Sequence, residues 1–133
     1  MAEQENIRLV QEMYAAFGRG DVPAMLNGLA PDVDWSFNGP TKIPFGGSWR
    51  GPEGVAKFFA ALAENLQPVA FAPEEYIAQG NKVVALGHEH MRVKSTGLAY
   101  EAAWAHVFTF HEGKITAFRE YSDSAAIMKA FKF

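Results

Sequence analysis

Cysteine is absent from the 133 residues, which excludes a disulfide frame, a thiolate metal site and a cysteine nucleophile, and fits a reducing compartment. No apolar run approaches the length of a membrane span, and the polar, acidic start Met-Ala-Glu-Gln-Glu does not read as a signal peptide. Lys and Arg are scattered and the formal net charge is -3, so there is no basic field for a phosphate backbone and nucleic acid is not an expected partner. A phosphate-cradling glycine loop is also missing: Gly18-Arg19-Gly20-Asp21 follows a helix instead of a strand, and Gly46-Gly47 lacks the flanking pattern. Nothing supports a serine triad. What is present is apolar and ring-rich, with 49% hydrophobic and 14% aromatic residues, enough to build one core. A single domain over 1–133 is expected, soluble and cytoplasmic, with no membrane partner.

Helical spacing runs through Ile7, Val10, Tyr14 and Phe17, and Gly18 and Gly20 end that helix. Asp21 caps a second, short helix with Pro23 in its first turn, expected to run to about Leu29. From Asp32 the pattern alternates, with Val33, Trp35 and Phe37 on one side of a half-buried strand. Asn38 to Gly51 holds two prolines and four glycines and reads as a loop, although Phe45 and Trp49 are apolar for such a segment. A third helix opens at Gly51-Pro52-Glu53, buries Val55, Phe58, Phe59, Leu62 and Leu66, and is expected to close at Pro68. Strands are expected at Val69–Gln79, Lys82–Lys94, Leu98–His111 and Lys114–Ser122, and their short links force antiparallel pairing. Ser122-Asp123 caps a last helix to Ala130. Helices first and a strand meander afterwards indicate an α+β domain whose helices cover one face of a bent sheet.

Titratable side chains interrupt the apolar face of the last hairpin. Trp104, His106, Phe108 and Phe110 share one side of the first strand by two-residue alternation, and Phe118 and Glu120 share one side of the second. Read as a three-residue loop with Gly113 left-handed, His111-Glu112-Gly113 sets Phe110 opposite Lys114, His106 opposite Phe118 and Trp104 opposite Glu120. The imidazole and carboxylate are then diagonal neighbours, with Cβ atoms roughly 7 Å apart. A two-residue loop would instead put Arg119 opposite His106 and turn Glu120 to the other face. On the strand before them, Val83, Ala85, Gly87, Glu89, Met91 and Val93 form the more apolar side, which brings Glu89 inside as well. A base and two acids among rings have the composition of an acid/base site: burial raises a carboxyl pKa, a nearby imidazolium pulls it down and has its own raised in return, and either group can then act as acid or base near neutrality. The same residues also fit a satisfied ion pair in a filled core.

The rings Trp35, Phe37, Trp49, Phe58, Phe59, Trp104, Phe108 and Phe118, with Met91, exceed what so small a domain needs and surround the inward polar cluster, as in a small-molecule pocket. Tyr14 would add a hydroxyl to it. His88 and His90 lie two apart on one strand face with bidentate metal spacing, but Arg92 and Lys94 follow on that face and no third ligand is evident, so no metal and no cofactor are expected and the two histidines are assigned to a polar outer face or a subunit contact.

The stretches Ala15-Ala16-Phe17-Gly18-Arg19-Gly20-Asp21, Leu29-Ala30-Pro31-Asp32-Val33-Asp34-Trp35, Arg50-Gly51-Pro52-Glu53-Gly54-Val55, Trp104-Ala105-His106-Val107-Phe108, Gly113-Lys114-Ile115 and Arg119-Glu120-Tyr121-Ser122-Asp123, in that order, resemble the SnoaL-like branch of the nuclear transport factor 2-like superfamily over nearly the whole chain. The resemblance implies a cone-shaped curved antiparallel sheet packed against three helices from the N-terminal half. It also implies a homodimer through the outer sheet face. Ketosteroid isomerases, polyketide cyclases and limonene epoxide hydrolase belong to that superfamily. By position, His106 falls where the isomerases place an oxyanion-hole acid, and Glu120 and Glu89 fall at acidic positions of the hydrolase. The hydrolase's arginine would fall at Gly87, the isomerase base at Phe37 and its tyrosine at Met13, so neither activity carries over whole. The resulting expectation is a cofactor-independent acid/base enzyme of isomerase, cyclase or lyase type on a small apolar carbonyl compound, with His106, Glu120, Glu89 and Tyr14 at the site. The alternatives are a non-catalytic hydrophobic-ligand module and a dimerisation domain.

Overall fold

The computed structural model describes residues 2–133. Their order is α1 (Ala2–Arg19), α2 (Val22–Leu26), β1 (Leu29–Asn38), β2 (Gly47–Arg50), α3 (Gly51–Asn65), β3 (Leu66–Gln79), β4 (Lys82–Val93), β5 (Ala99–His111), β6 (Lys114–Ser122) and α4 (Ser124–Phe131). The six strands form one curved sheet in the order β2-β1-β6-β5-β4-β3, with α1 packed on β3 and β4, and α3 on β1. The α+β fold is as expected, with one refinement: β1 runs parallel to β6, so the sheet is mixed instead of wholly antiparallel. The long stretch between β1 and β6 contains the whole meander, which gives the chain room to return in the same direction. No helix among the described residues is long and apolar enough to cross a membrane.

Three boundaries differ from the sequence reading. The second helix stops at Leu26 instead of near Leu29, because Leu29 and Ala30 are recruited as buried residues of β1. The supposed loop from Asn38 to Gly51 contains β2, where Trp49 pairs with Trp35 and Ser48 with Ser36, and it buries Ile43 and Phe45. The third helix ends at Asn65, whose side chain caps the Ala61 carbonyl, so Leu66 opens β3 instead of sitting on the helix, well before Pro68. Pro68 disfavours helical backbone at the residue before it, Gln67, so the chain is already extended when it reaches the ring. Register shifts at Pro68/Ala70 and Pro73/Glu75 then bend β3 along its length.

Alternation along β4 and β5 decides which side chains face the helices. Val83, Ala85, Gly87, Glu89, Met91 and Val93 are buried on β4, and Tyr100, Ala102, Trp104, His106, Phe108 and Phe110 on β5. The β5–β6 hairpin closes through Glu112 and Gly113, both at positive φ (49° and 78°), with His111 opposite Lys114 and Phe110 opposite Ile115. This is a two-residue turn, not the three-residue loop read from the sequence. A bulge between Thr109/Phe110 on β5 and Ile115/Ala117 on β6 supplies the extra residue farther inside the ladder. That insertion cancels the flip of face that a bare two-residue turn imposes. His106 therefore lies directly opposite Glu120, Phe108 opposite Phe118 and Trp104 opposite Ser122.

Candidate functional site

Helices α1 and α3 do not fill the hollow of the sheet. Beneath them is a cavity of about 700 Å³ whose wall is mostly apolar and which also carries Tyr14, Glu89, Tyr100, His106 and Glu120. The carboxyl and imidazole groups are almost wholly buried, with Glu89 9%, His106 5% and Glu120 8% exposed. Burying such groups without compensation is unfavourable, so their partners matter.

His106 is held on both sides. Its Nδ1 lies 2.8 Å from the Tyr14 hydroxyl, and its Nε2 lies 3.4 Å from Glu120 Oε1. Burial, then Tyr76 and Glu120, push the Tyr14 phenol well above its ordinary range, so it keeps its proton. With Tyr14 donating to Nδ1, the ring proton belongs on Nε2, facing the Glu120 carboxylate across a contact too long and too oblique for a full hydrogen bond. The ring plane is fixed by stacking: Trp104 lies 4.0 Å from His106 at 15°, and Phe71 stacks on the far side of Trp104 at 5.1 Å. Phe118 meets the imidazole edge-on at 5.0 Å.

Glu89, level with Ala102 on the neighbouring strand, accepts a hydrogen bond from the Tyr100 hydroxyl at 2.9 Å. Desolvation and then the charge of Glu120 raise its pKa to about 8, against the opposing effect of Tyr100. At neutral pH it is therefore mainly a neutral acid. A neutral carboxylic acid in an apolar cavity can donate a hydrogen bond to a ligand oxygen.

The structure gathers His106, Glu120, Glu89 and Tyr14 at one cavity, along with Trp35, Phe37, Phe58, Phe59, Met91, Phe108 and Phe118. Two of the expected lining residues do not face it. Trp49 is on β2, packs against Phe58 at 6.0 Å and donates its indole N–H to the Phe45 carbonyl. Trp104 is sandwiched between His106 and Phe71 and orients the imidazole instead of meeting a ligand. Lys94, assigned to the outer face, lies past the end of β4, lines the cavity and donates to the Ala63 carbonyl. His88 is on the exterior, where its Nδ1 lies 2.7 Å from Glu74, and no cluster of three metal-ligating side chains exists among the described residues. Tyr100 and Phe71 were missed. Tyr100 was legible from the alternation that placed Trp104 and His106, whereas Phe71 depends on the bulges of β3, which leave no clear sequence pattern.

Gly87 is the counterpart of Trp104 across the β4–β5 ladder. A Cβ there would overlap both the Ala72 carbonyl oxygen and the Trp104 ring. Gly87→Ala is expected to lower stability by about 1–3 kcal/mol, as overpacking does, and to displace the ring that pins His106. Urea unfolding together with the near-UV dichroism of the tryptophans checks both effects.

A curved mixed sheet closed by helices over an apolar, acid-bearing cavity places the protein among the nuclear transport factor 2-like proteins. The chain belongs to the SnoaL-like domain family, whose model matches residues 10–118. It is 26% identical over 127 residues to an uncharacterised protein of Mycobacterium tuberculosis, covering 95% of each chain. An NTF2-like protein from Burkholderia xenovorans LB400 superposes with a TM-score of 0.89 at 35% identity, covering 98% of each chain. TerC, co-crystallised with polyporic acid, superposes with a TM-score of 0.86 at 29% identity, covering 97% of this chain and 99% of TerC.

Proposed function

We propose that the protein binds a small, largely apolar carbonyl compound in this cavity and moves a proton on it without a cofactor, as an isomerase, cyclase or lyase does. The observation that carries this reading is the row Tyr14–His106–Glu120, with a 2.8 Å hydrogen bond between the first two and a 3.4 Å approach between the last two, set against a cavity of about 700 Å³. That volume is within the usual range for small-molecule sites, and its ring-lined wall suits an apolar body with one polar group. Nδ1 of His106 is engaged by Tyr14, and Nε2 is buried 3.4 Å from Glu120 without a hydrogen bond, so the ligand meets the Glu120 carboxylate and the imidazole acts through it. Glu120 takes the proton next to the carbonyl, while His106, held by Tyr14, keeps the carboxylate in position. The crystallisation of TerC with polyporic acid supports a small organic ligand for a chain of this shape.

The protein would act as a homodimer. Ile77, Val84, Leu86, Val107 and Tyr121 form an apolar patch on the outer face of the sheet, which a second copy would cover.

Proton NMR in D₂O with 2-acetylnaphthalene tests the chemistry. The protein is expected to accelerate exchange of the methyl protons next to the carbonyl, saturably in ketone. Binding of the ketone with no exchange above buffer would assign the cavity to sequestration instead of catalysis.

A further inference from the structure

The cavity holds a second polar pair, and its geometry has a direction. Tyr100 on β5 donates to Oε2 of Glu89 on β4 at 2.9 Å, and both residues line the cavity. That bond occupies one carboxyl oxygen, so when Glu89 is protonated its proton belongs on Oε1, the oxygen left free to meet a ligand. Glu89 pairs with Ala102, four residues along β5 from His106, and it lies near enough to Glu120 to feel that residue's charge across the cavity. The cavity therefore offers a donor at one station and a proton acceptor at the other.

We propose that Glu89 in its neutral form donates a hydrogen bond to an oxygen of the ligand, that Tyr100 is the residue that positions this proton, and that the pair makes the site select uncharged, acceptor-bearing apolar molecules over anions. This rests on the carbonyl-ligand reading above but requires no turnover. The groups around Glu89 leave no buried cation to receive an anion. From β5 they are Tyr100 and His106, from β6 Glu120, and from α1 Tyr14; α2, α3 and β3 present only uncharged residues to the cavity, among them Met25, Phe58, Phe59, Gln67 and Phe71. The cation that lines it is Lys94, which is exposed and bonded to the Ala63 carbonyl at the C-terminal end of α3. An anionic ligand would face Glu120 and force Glu89 to remain protonated, whereas a ketone oxygen finds a donor.

Calorimetric binding of 2-acetylnaphthalene, and of 2-naphthoate as an anion of the same shape, tests this across pH 6 to 9.5. The ketone is expected to bind the wild-type protein at least tenfold more tightly than naphthoate at pH 6.5, and to weaken through a midpoint of about 8 as Glu89 loses its proton. Tyr100 stabilises the charged form of Glu89, so Tyr100→Phe should move that midpoint upward by on the order of one unit, the size of one hydrogen bond to a carboxylate. Glu89→Gln, which keeps an N–H donor and cannot ionise, should bind the ketone at all these pH values without a midpoint. This variant keeps the size and shape of the native side chain, so it decides the matter even if Tyr100→Phe folds poorly. A midpoint that survives in Glu89→Gln, a midpoint unmoved in a folded Tyr100→Phe, or equal affinity for the two probes would overturn the proposal. Because the readout is binding, these results are separable from the exchange experiment: a ketone bound with the expected pH dependence yet not exchanged would leave this inference standing and remove the proton-transfer reading.

Discussion

Glu120→Gln is expected to slow proton exchange on a bound ketone by about 10²–10⁴-fold, the usual contribution of a positioned general base, while ketone affinity changes little. The carboxamide has the same shape and stays within the buried seat that leaves Glu120 8% exposed, but it cannot accept a proton and hold it. His106 does not take over, because its Nε2 is buried and its Nδ1 is engaged by Tyr14 at 2.8 Å. His106→Ala should also lose activity, but through a different route. Removing the imidazole takes away the Tyr14–His106 contact at 2.8 Å and the ring that faces Glu120 at 3.4 Å, so the base is present but no longer held in place. Exchange rates measured against pH for both variants separate loss of the base from misplacement of it. An exchange rate for Glu120→Gln within about threefold of wild type would remove Glu120 from the reaction.

The inward face of the sheet was legible at the level of single residues. Two-residue alternation is rigid enough that Trp104, His106 and Phe108 must share a side, as must Glu89 and Met91, and the burial of each confirms it. The register between strands was less legible, because it depends on where one extra residue is inserted. Placing the bulge in the turn at His111-Glu112-Gly113 gave the right faces with a two-residue error in pairing, and the structure puts the bulge instead where Thr109/Phe110 meets Ile115/Ala117. The error matters, because a direct cross-strand pair brings His106 and Glu120 to 3.4 Å whereas a diagonal pair would leave a gap. Trp49 shows a different limit. Its apolar character correctly signalled burial of the segment, but whether a ring turns toward a cavity or toward its own neighbours is set by tertiary packing, here by the Phe45 carbonyl that receives its N–H. Gly87 carries a similar lesson: its lack of a side chain is what lets Trp104 lie flat against the imidazole, and no periodicity announces that.

Phe108→Ala is expected to lower stability by about 3–5 kcal/mol, the range for removing a buried aromatic side chain. Phe108 is 0% exposed and ties three elements together, with ring centroids 6.1 Å from Tyr14 on α1 and 5.1 Å from Phe118 on β6. A domain of this size has roughly 5–15 kcal/mol in total, so the loss is a large share of it and should appear as a fall in urea midpoint without a change in slope. Phe108 also lines the ligand cavity, and this separates two kinds of void. A hollow whose wall is complete is tolerated because the surrounding rings still contact one another, whereas deleting Phe108 strips contacts from Tyr14, His106 and Phe118 together. If an apolar ketone fills the enlarged hollow, it should recover part of the lost stability by mass action, in proportion to the logarithm of its concentration over its dissociation constant. Phe108→Leu, which keeps most of the volume, should cost less than about 1.5 kcal/mol if volume at this position is what matters. Equal destabilisation by both substitutions would show that it is the aromatic edge against Tyr14 and Phe118, and not the space it fills, that holds α1 over the site.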